Sequence, residues 1–372
     1  MKEYDVILVG ARVAGSILAT MLGEAGYRIL VLDRAKFPSD SLSTHFFRWP
    51  ALQAFQRIGI YDAVQKAAPH LENMLNDIDG QVIEEPVKGQ DGLDYFLCLR
   101  RITLDWMLVQ RMRQVPTVEF IQAARMEELL RDEDRVVGAK WQDENGNHSA
   151  QAKVIIGADG FYSRVAKLVE PEVETFVPVQ RAMYFTYFKN LKPLHVPTAE
   201  HYFRGDHLTY VFPTDDQLTL IAITVPISEF ESFRRDPQGN FYSALERITS
   251  LGPRLEEAVQ AAPIKGAGNI PCYQRTPYGP GWALVGDAAQ IMDPWSGQGI
   301  DHASTHAVML AESLGAWLDK KVSWEEAMQT YHRERNAWSR KTFDRTSKFA
   351  GDLRPMTRAA LMRRSLPIPT ET

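Results

Sequence analysis

The stretch from residue 6 to residue 35, VILVGARVAGSILATMLGEAGYRILVLDRA, constrains the fold more than any other part of the chain. Residues 4–9 form a short, mostly apolar run rich in Val, Ile and Leu, which reads as a buried parallel strand. Ile17, Leu18, Met21 and Leu22 then recur at helical spacing, and Gly26 stands where a helix commonly ends. Residues 28–32 read as a second strand, closed by Asp33. A strand, a crossover helix and a second strand within about 30 residues make a βαβ unit. Gly10 and Gly15 occupy the first and last positions of G-x-G-x-x-G; the first permits a tight turn and the last lets the helix pack closely on the strand. Asp33 lies eighteen residues after Gly15, where a carboxylate accepts hydrogen bonds from a ribose diol. Between the glycines, Ala11, Arg12, Val13 and Ala14 make the turn and the helix N-terminus expected to hold a diphosphate. Arg12 replaces the middle glycine, so its side chain either projects away from the phosphates or adds a charge contact to them. The motif by itself does not separate FAD from NAD(P).

Bulk properties narrow the class. The 372 residues suffice for two lobes, and 45% hydrophobic with 24% charged residues is an ordinary globular composition. The net charge of −5 gives no pull toward nucleic acid. Cys98 and Cys272 are far apart and form neither a metal cluster nor a disulfide framework, which predicts a reducing, cytoplasmic setting and no metal. The N-terminal apolar run follows Asp5 and reads as a strand, not a signal peptide. No run of about 18 apolar residues occurs, so no stable membrane insertion is expected.

Two later segments bear on the cofactor. Residues 153–156 read as a strand followed by GADGFYSRV, a sharp strand-to-helix turn that places Asp159 and Gly160 at the top of the sheet. Residues 282–285 read as another strand, ending in Gly286-Asp287, where a carboxylate meets ribityl or ribose hydroxyls. Pro294 and Gly297-Gln298-Gly299 then open a helix whose apolar positions Ile300, Ala303, Ala307, Leu310, Leu314 and Leu318 step by three and four. Such a helix start presents free N–H groups and the positive end of the dipole, suited to the negative charge of a reduced flavin.

The pieces GARVAG, RRITLDWML, GADGFYSRV and LVGDAAQIMDPWSGQG stand in the order and spacing of a known family. From residue 5 to about residue 318 the chain resembles the p-hydroxybenzoate hydroxylase-like, group A flavin monooxygenases, with the geranylgeranyl reductase-like branch as close relatives. The resemblance implies an α/β fold: a Rossmann-like FAD-binding domain (GR2-type) with an inserted, mainly antiparallel substrate lobe and a C-terminal helical segment. The expected boundaries are 1–70, 100–177 and 265–322 for the FAD-binding domain, 71–99 and 178–264 for the lobe, and 323–372 for the C-terminal segment. It also implies roles. Gly10 and Gly15 hold the diphosphate turn, Asp33 binds the adenosine ribose, and Arg34 flanks the adenine. Arg101 contacts the flavin side, Asp159-Gly160 lies near the diphosphate, Asp287 meets the ribityl chain, and Gly297 to Ile300 run along the isoalloxazine. Gln290 departs from the His that many relatives carry after Gly-Asp-Ala-Ala.

Residues 181–189, 201–203, 207–213 and 218–225 alternate as strands between turn signals. In the resembled family such a sheet roofs the flavin, and Tyr184, Tyr187, Tyr202, Tyr210 and Phe212 are candidate pocket residues. Between the βαβ unit and a helix at 51–58, Ser43 and Thr44 are candidate cofactor contacts. His45 and Trp295 are the candidate catalytic or pocket-shaping side chains. Residues 331–364 carry ten Lys/Arg against three Asp/Glu; a solvated helix on the FAD domain is expected, with an anionic partner or membrane surface as the alternative. Arg354-Pro355 and residues 366–369 are expected to break that helix.

The family reading makes the chain an FAD enzyme reduced transiently by NADPH or NADH. It would hydroxylate an aromatic or other electron-rich small molecule through a C4a-hydroperoxyflavin, with no catalytic base assigned. The alternatives are a flavin-dependent reductase of isoprenoid double bonds, a flavin-dependent halogenase (whose Trp-x-Trp-x-Ile-Pro signature is missing) and a non-enzymatic flavoprotein. Substrate identity, the choice of pyridine nucleotide and the oligomeric state are left open by the sequence.

Overall fold

Every residue of the second strand is buried, and that follows from what covers the sheet. The computed structural model describes residues 2–365. In it β1 (Lys2–Val9), α1 (Val13–Glu24) and β2 (Ile29–Asp33) form the expected βαβ unit. β1 pairs in parallel with β2 and with the strand Gly146–Gly157, β2 pairs with Val118–Gln122, and Gly146–Gly157 pairs with Trp282–Leu284. On one face Val6, Leu8 and Val31 pack into a core with α1 and the helix Gly299–Leu318. On the other, Ile7, Leu30 and Leu32 pack against Met126, Val136 and Trp141 of a β-hairpin. A strand covered on both faces needs no polar side, hence the unbroken apolar run.

The strand at 146–157 is longer than the expected 153–156. Residues 146–151 pair antiparallel with Arg135–Asp143, the second arm of that hairpin, and residues 150–157 pair in parallel with β1. The sequence of the first half is polar because one side faces solvent.

A second sheet of eight strands is antiparallel except where Thr198–Arg204 runs parallel to Asn73–Ile78. Arg181–Lys189, His207–Pro213 and Thr219–Pro226 are its long strands. Lys265–Ala267 also pairs with Arg181–Lys189, so this sheet reaches past residue 264. Two helices, Phe230–Arg235 and Pro237–Glu246, cover one face through Phe233, Phe241 and Leu245. The other face turns its aromatics toward Phe46 and Trp295.

The basic C-terminal stretch is two helices. Trp324–Ala350 starts with a capping box between Ser323 and Glu326 and buries Tyr331, Arg335 and Phe343. It ends at Ala350, and residues 351–353 turn the chain. Arg354-Pro355 is not the breaker expected from the sequence: it opens the helix Arg354–Ser365, where proline in the first turn forfeits no hydrogen bond. Residues 366–369 lie outside the described residues. Among the described residues no helix is long and apolar enough to cross a membrane, no cluster of side chains is arranged to hold a metal, and Cys98 and Cys272 are both buried free thiols.

Candidate functional site

The turns at the C-terminal ends of the parallel strands surround one elongated cavity of about 990 Å3, at the upper end of the roughly 300–1,000 Å3 typical of ligand pockets. It runs from the β1–α1 turn and the end of β2, past the turns at residues 158–162 and 285–287, to Met183 of the second sheet and Phe230 of the helix beside it. Open α/β sheets bind ligands at this edge because the strand ends there diverge and helix N-termini point in.

At one end, Gly10, Arg12, Val13, Ala14, Asp33 and Arg34 line the cavity. Gly10 has φ +103°, and a Cβ there would stand 2.3 Å from the carbonyl oxygen of Ala158. Gly15 does not line the cavity; a Cβ on it would stand 1.8 Å from Gly10 O, so it sets the approach of α1 to β1. Nor does Ala11, whose N–H donates to Asp33 Oδ2 at 2.7 Å while Ala35 N donates to Oδ1 at 2.8 Å. Asp33 is thereby fixed at the end of β2 with one acceptor site per oxygen remaining.

Arg12 turns out of the turn. Its guanidinium ion-pairs with Asp105 and donates to Ser39 Oγ at 3.0 Å and to Asp40 O at 3.1 Å. Arg101 takes the other oxygen of Asp105 at 2.9 Å. Asp105 is fully buried and neutralises one of two cations, so the trio keeps one positive charge beside the cavity. The N-terminus of α1 has no acidic residue in its first turn and no side-chain cap, which leaves its N–H groups directed at the cavity and free for an anion.

Asp159 accepts from Ser163 Oγ and from Arg164 N at 2.6 Å, and Ser163 in turn caps the helix Arg164–Val169. Burial raises its carboxyl even so. Gly160 lines the cavity beside it. Asp287 makes no carboxylate hydrogen bond among the described residues; burial pushes its pKa up to about 6, and the Arg101 charge opposes that.

At the other end, Pro294, Gly297, Gln298, Gly299 and Ile300 line the cavity, with Ser43 and Thr44 across from them. Arg48 clamps this segment: its guanidinium donates to Gly297 O at 3.0 Å, Ser296 O at 3.1 Å and Asp301 Oδ2 at 2.9 Å. The acid in the first turn of the helix Gly299–Leu318 is thus neutralised, and the helix start meets the cavity as a positive end.

His45 and Trp295 are not in the cavity, which corrects their candidacy as catalytic groups. His45 is fully buried at φ +60°, with Nδ1 accepting from Arg101 N at 3.2 Å and Nε2 bonded to Tyr187 Oη at 2.7 Å. Burial, aided by the Arg101 charge, holds its pKa down at about 3. It is a neutral strut. Trp295 donates from Nε1 to Thr346 O at 3.0 Å and packs between the sheets. Tyr184 and Tyr202 face the helices on the outer side of the second sheet, and Tyr187, Tyr210 and Phe212 fill its inner side; none lines the cavity. Alternation along a strand shows which residues share a face, not which face meets a ligand.

Sequence reasoning missed Ala124 to Met126, the loop at residues 266–270, Asp293 and His302, all of which line the cavity. Asp293, an Asx-Pro turn residue, and His302 both stand in the segment GWALVGDAAQIMDPWSGQGIDHA; the others belong to no motif.

The comparisons with known proteins fit this geometry. A family model described as FAD binding domain matches residues 3–346. The chain is 27% identical over 364 residues to digeranylgeranylglycerophospholipid reductase 2 of Methanopyrus kandleri, covering 94% of this chain and 85% of that one. It is 24% identical to kynurenine 3-monooxygenase of Christiangramia forsetii, covering 90% and 77%. Its structure superposes on the myxobacterial chondrochloren halogenase CndH with a TM-score of 0.84 at 20% identity, covering 92% of this chain and 82% of that one.

Proposed function

The chain belongs to the FAD binding domain family and is an FAD-dependent oxidoreductase, and from that premise we propose that it is an NAD(P)H-dependent monooxygenase acting on a compact, electron-rich aromatic. The observation that carries this reading is the filled inner face of the second sheet. Phe185, Tyr187, Tyr210 and Phe212 pack there against Phe46 and Trp295, with Phe46 and Phe212 stacked at 4.7 Å. The sheet meets the cavity at Met183. A sheet face already filled by protein side chains suits one ring better than a polyprenyl chain of many carbons.

The residues present fit FAD. The uncapped start of α1 offers N–H groups to a diphosphate, Asp33 offers carboxylate oxygens to a ribose, and Asp287 is a half-buried carboxyl whose oxygens accept from none of the described residues and are open to hydroxyls. The second helix start, at Gly299, offers its positive end to a flavin edge. When bound, the cofactor supplies hydride acceptance and the activation of dioxygen. The protein's part is to orient and to keep water out. Arg101 and Arg12, held on Asp105, fix the walls on one side; Arg48 holds the other by tying residues 296 and 297 to Asp301. Tyr162, hydrogen-bonded to Asn269 Nδ2 at 2.5 Å, joins the two rims of the cavity mouth.

Purified protein reconstituted with FAD is expected to consume NAD(P)H faster when a phenol is added and to place one atom of labelled dioxygen in the product. Saturation of prenyl double bonds without dioxygen, and no response to phenols, would instead establish the reductase chemistry named for the Methanopyrus relative.

A further inference from the structure

Most charged and imidazole side chains around the cavity are committed to the protein. Asp33 and Asp159 use both oxygens on backbone or Ser163 donors, Arg12 and Arg101 share Asp105, and Arg164 donates to Glu127 O at 2.8 Å. Arg34 and Arg125 stand at the Asp33 end. Asp287, His302 and Asp293 remain at the other. Asp287 faces Arg101, on the cofactor side. His302 turns Nδ1 toward Gln290 at 3.5 Å and stacks edge-on to Trp338.

Asp293 caps the turn Pro294–Ser296, which packs against the strand Arg181–Lys189 that carries Met183. It is buried, 2% exposed, and lines the cavity next to Met292 and Pro294. Its backbone is pinned: its N–H donates to Cys272 Sγ at 3.2 Å, and Oδ1 accepts from Trp295 N at 3.0 Å. Oδ2 accepts nothing from the described residues. The cation whose charge reaches it, Arg181, is already engaged by Asp206 Oδ1 at 3.0 Å, Thr224 Oγ1 at 3.1 Å and Ala350 O at 3.2 Å. Tyr210 and Cys272 are the other titratable groups that feel its charge. The helix Trp324–Ala350 brings the neutral Phe343 and Thr346 to this neighbourhood.

We propose that Asp293 is the catalytic base: Oδ2 takes the hydroxyl proton of a phenol bound at the Met183–Phe230 end of the cavity. The phenol O–H bond breaks, a new O–H bond forms on Oδ2, and the electron pair left on the phenolate oxygen enriches the ring positions ortho and para to it. After hydroxylation by dioxygen and the reduced cofactor, the carboxylic acid returns its proton to the product's phenolate oxygen, so Asp293 ends as it began. Burial, opposed by the Trp295 N–H and the Arg181 charge, lifts this carboxyl to about 6, close to the operating pH, where a base is most effective. Asn in its place keeps the cap on Trp295 and removes the base.

The inference rests on the monooxygenase reading, and the test separates the two. Asp293→Asn is compared with wild type in two ways. Carbon-13 carboxyl NMR of the protein without cofactor is expected to show one wild-type Asp signal, missing in the variant, with a midpoint near 6. In turnover, the variant is expected to lose the acid limb of the pH profile and about a hundredfold in kcat with a neutral phenol, yet to recover near wild-type kcat with p-nitrophenol above its own pKa. A variant that slows both phenols equally, retains the acid limb, or lacks no shifted signal overturns the assignment and leaves the monooxygenase standing. A wild-type protein that no phenol stimulates removes both.

Discussion

Arg12 shows how a single residue can break a motif and leave its geometry intact. The middle glycine of such a turn serves to let a phosphate approach the backbone. Here the arginine side chain leaves that approach by way of Asp105 and the loop at residues 39 and 40. Its task is to fasten the loop, so Arg12→Gly is expected to lower stability by about 1–3 kcal/mol, the scale of hydrogen bonds to a charged group. FAD affinity is expected to change less than tenfold. Urea denaturation and flavin fluorescence quenching measure the two separately; a large loss of affinity at unchanged stability would mean that Arg12 holds the phosphates itself. The motif residues of this end were legible in the sequence because each acts through its own backbone or its neighbour's. Arg12's partner was not, because Asp105 lies 93 positions away.

At the scale of elements, the segment leading into the helix Gly299–Leu318 is positioned by a residue from elsewhere. Arg48 opens the helix Trp49–Arg57, yet it reaches three groups across 296–301. Asp301 is 1% exposed, so Arg48→Gln leaves a buried carboxylate with little compensation. Removing one partner of a buried pair costs about 3–5 kcal/mol. The expected result is a lowered Tm with flavin binding weakened in parallel; an unchanged Tm would show that the pair is not holding the segment. The helix itself was readable from its periodicity and its glycines. The clamp was not, because an arginine at a helix start looks the same in sequence whether it meets water or a distant carbonyl.

At the scale of the whole molecule, burial sets two opposing proton linkages. His45 and His302 are held near 3 and His306 well below its usual value, all by desolvation. The unfolded chain therefore binds protons that the native one refuses. The stability this represents is complete above about 6.5 and is lost as pH falls through that value toward the folded ones. Asp287 and Asp293, both lifted to about 6, act the other way. The native state binds the extra protons between about 6 and the ordinary carboxylate range, so acidification across that window favours folding. The expected stability of the FAD-free protein declines gently from pH 6.5 to about 4 and more steeply below. An Asp287→Asn/Asp293→Asn double variant is expected to lose the gentle region, falling steeply from 6.5 onward in urea titrations run at successive pH values. Identical profiles for the two proteins would mean that the carboxyls titrate normally.

The sequence alone determined the βαβ unit, the two later strands that end before residues 157 and 286, and the two helix starts, because these rest on local periodicity and on glycines whose neighbours are near in the chain. It also determined the family, since four motifs in fixed order need no coordinates to be recognised. Only the tertiary structure decided which polar side chains face the cavity. His45 read as a residue of a polar loop and Asp293 drew no reading of its own; packing buried the first between Arg101 and Tyr187 and left the second lining the cavity. That choice depends on which face of the second sheet meets the first, a relation between surfaces brought together from opposite ends of the chain and encoded at no single position.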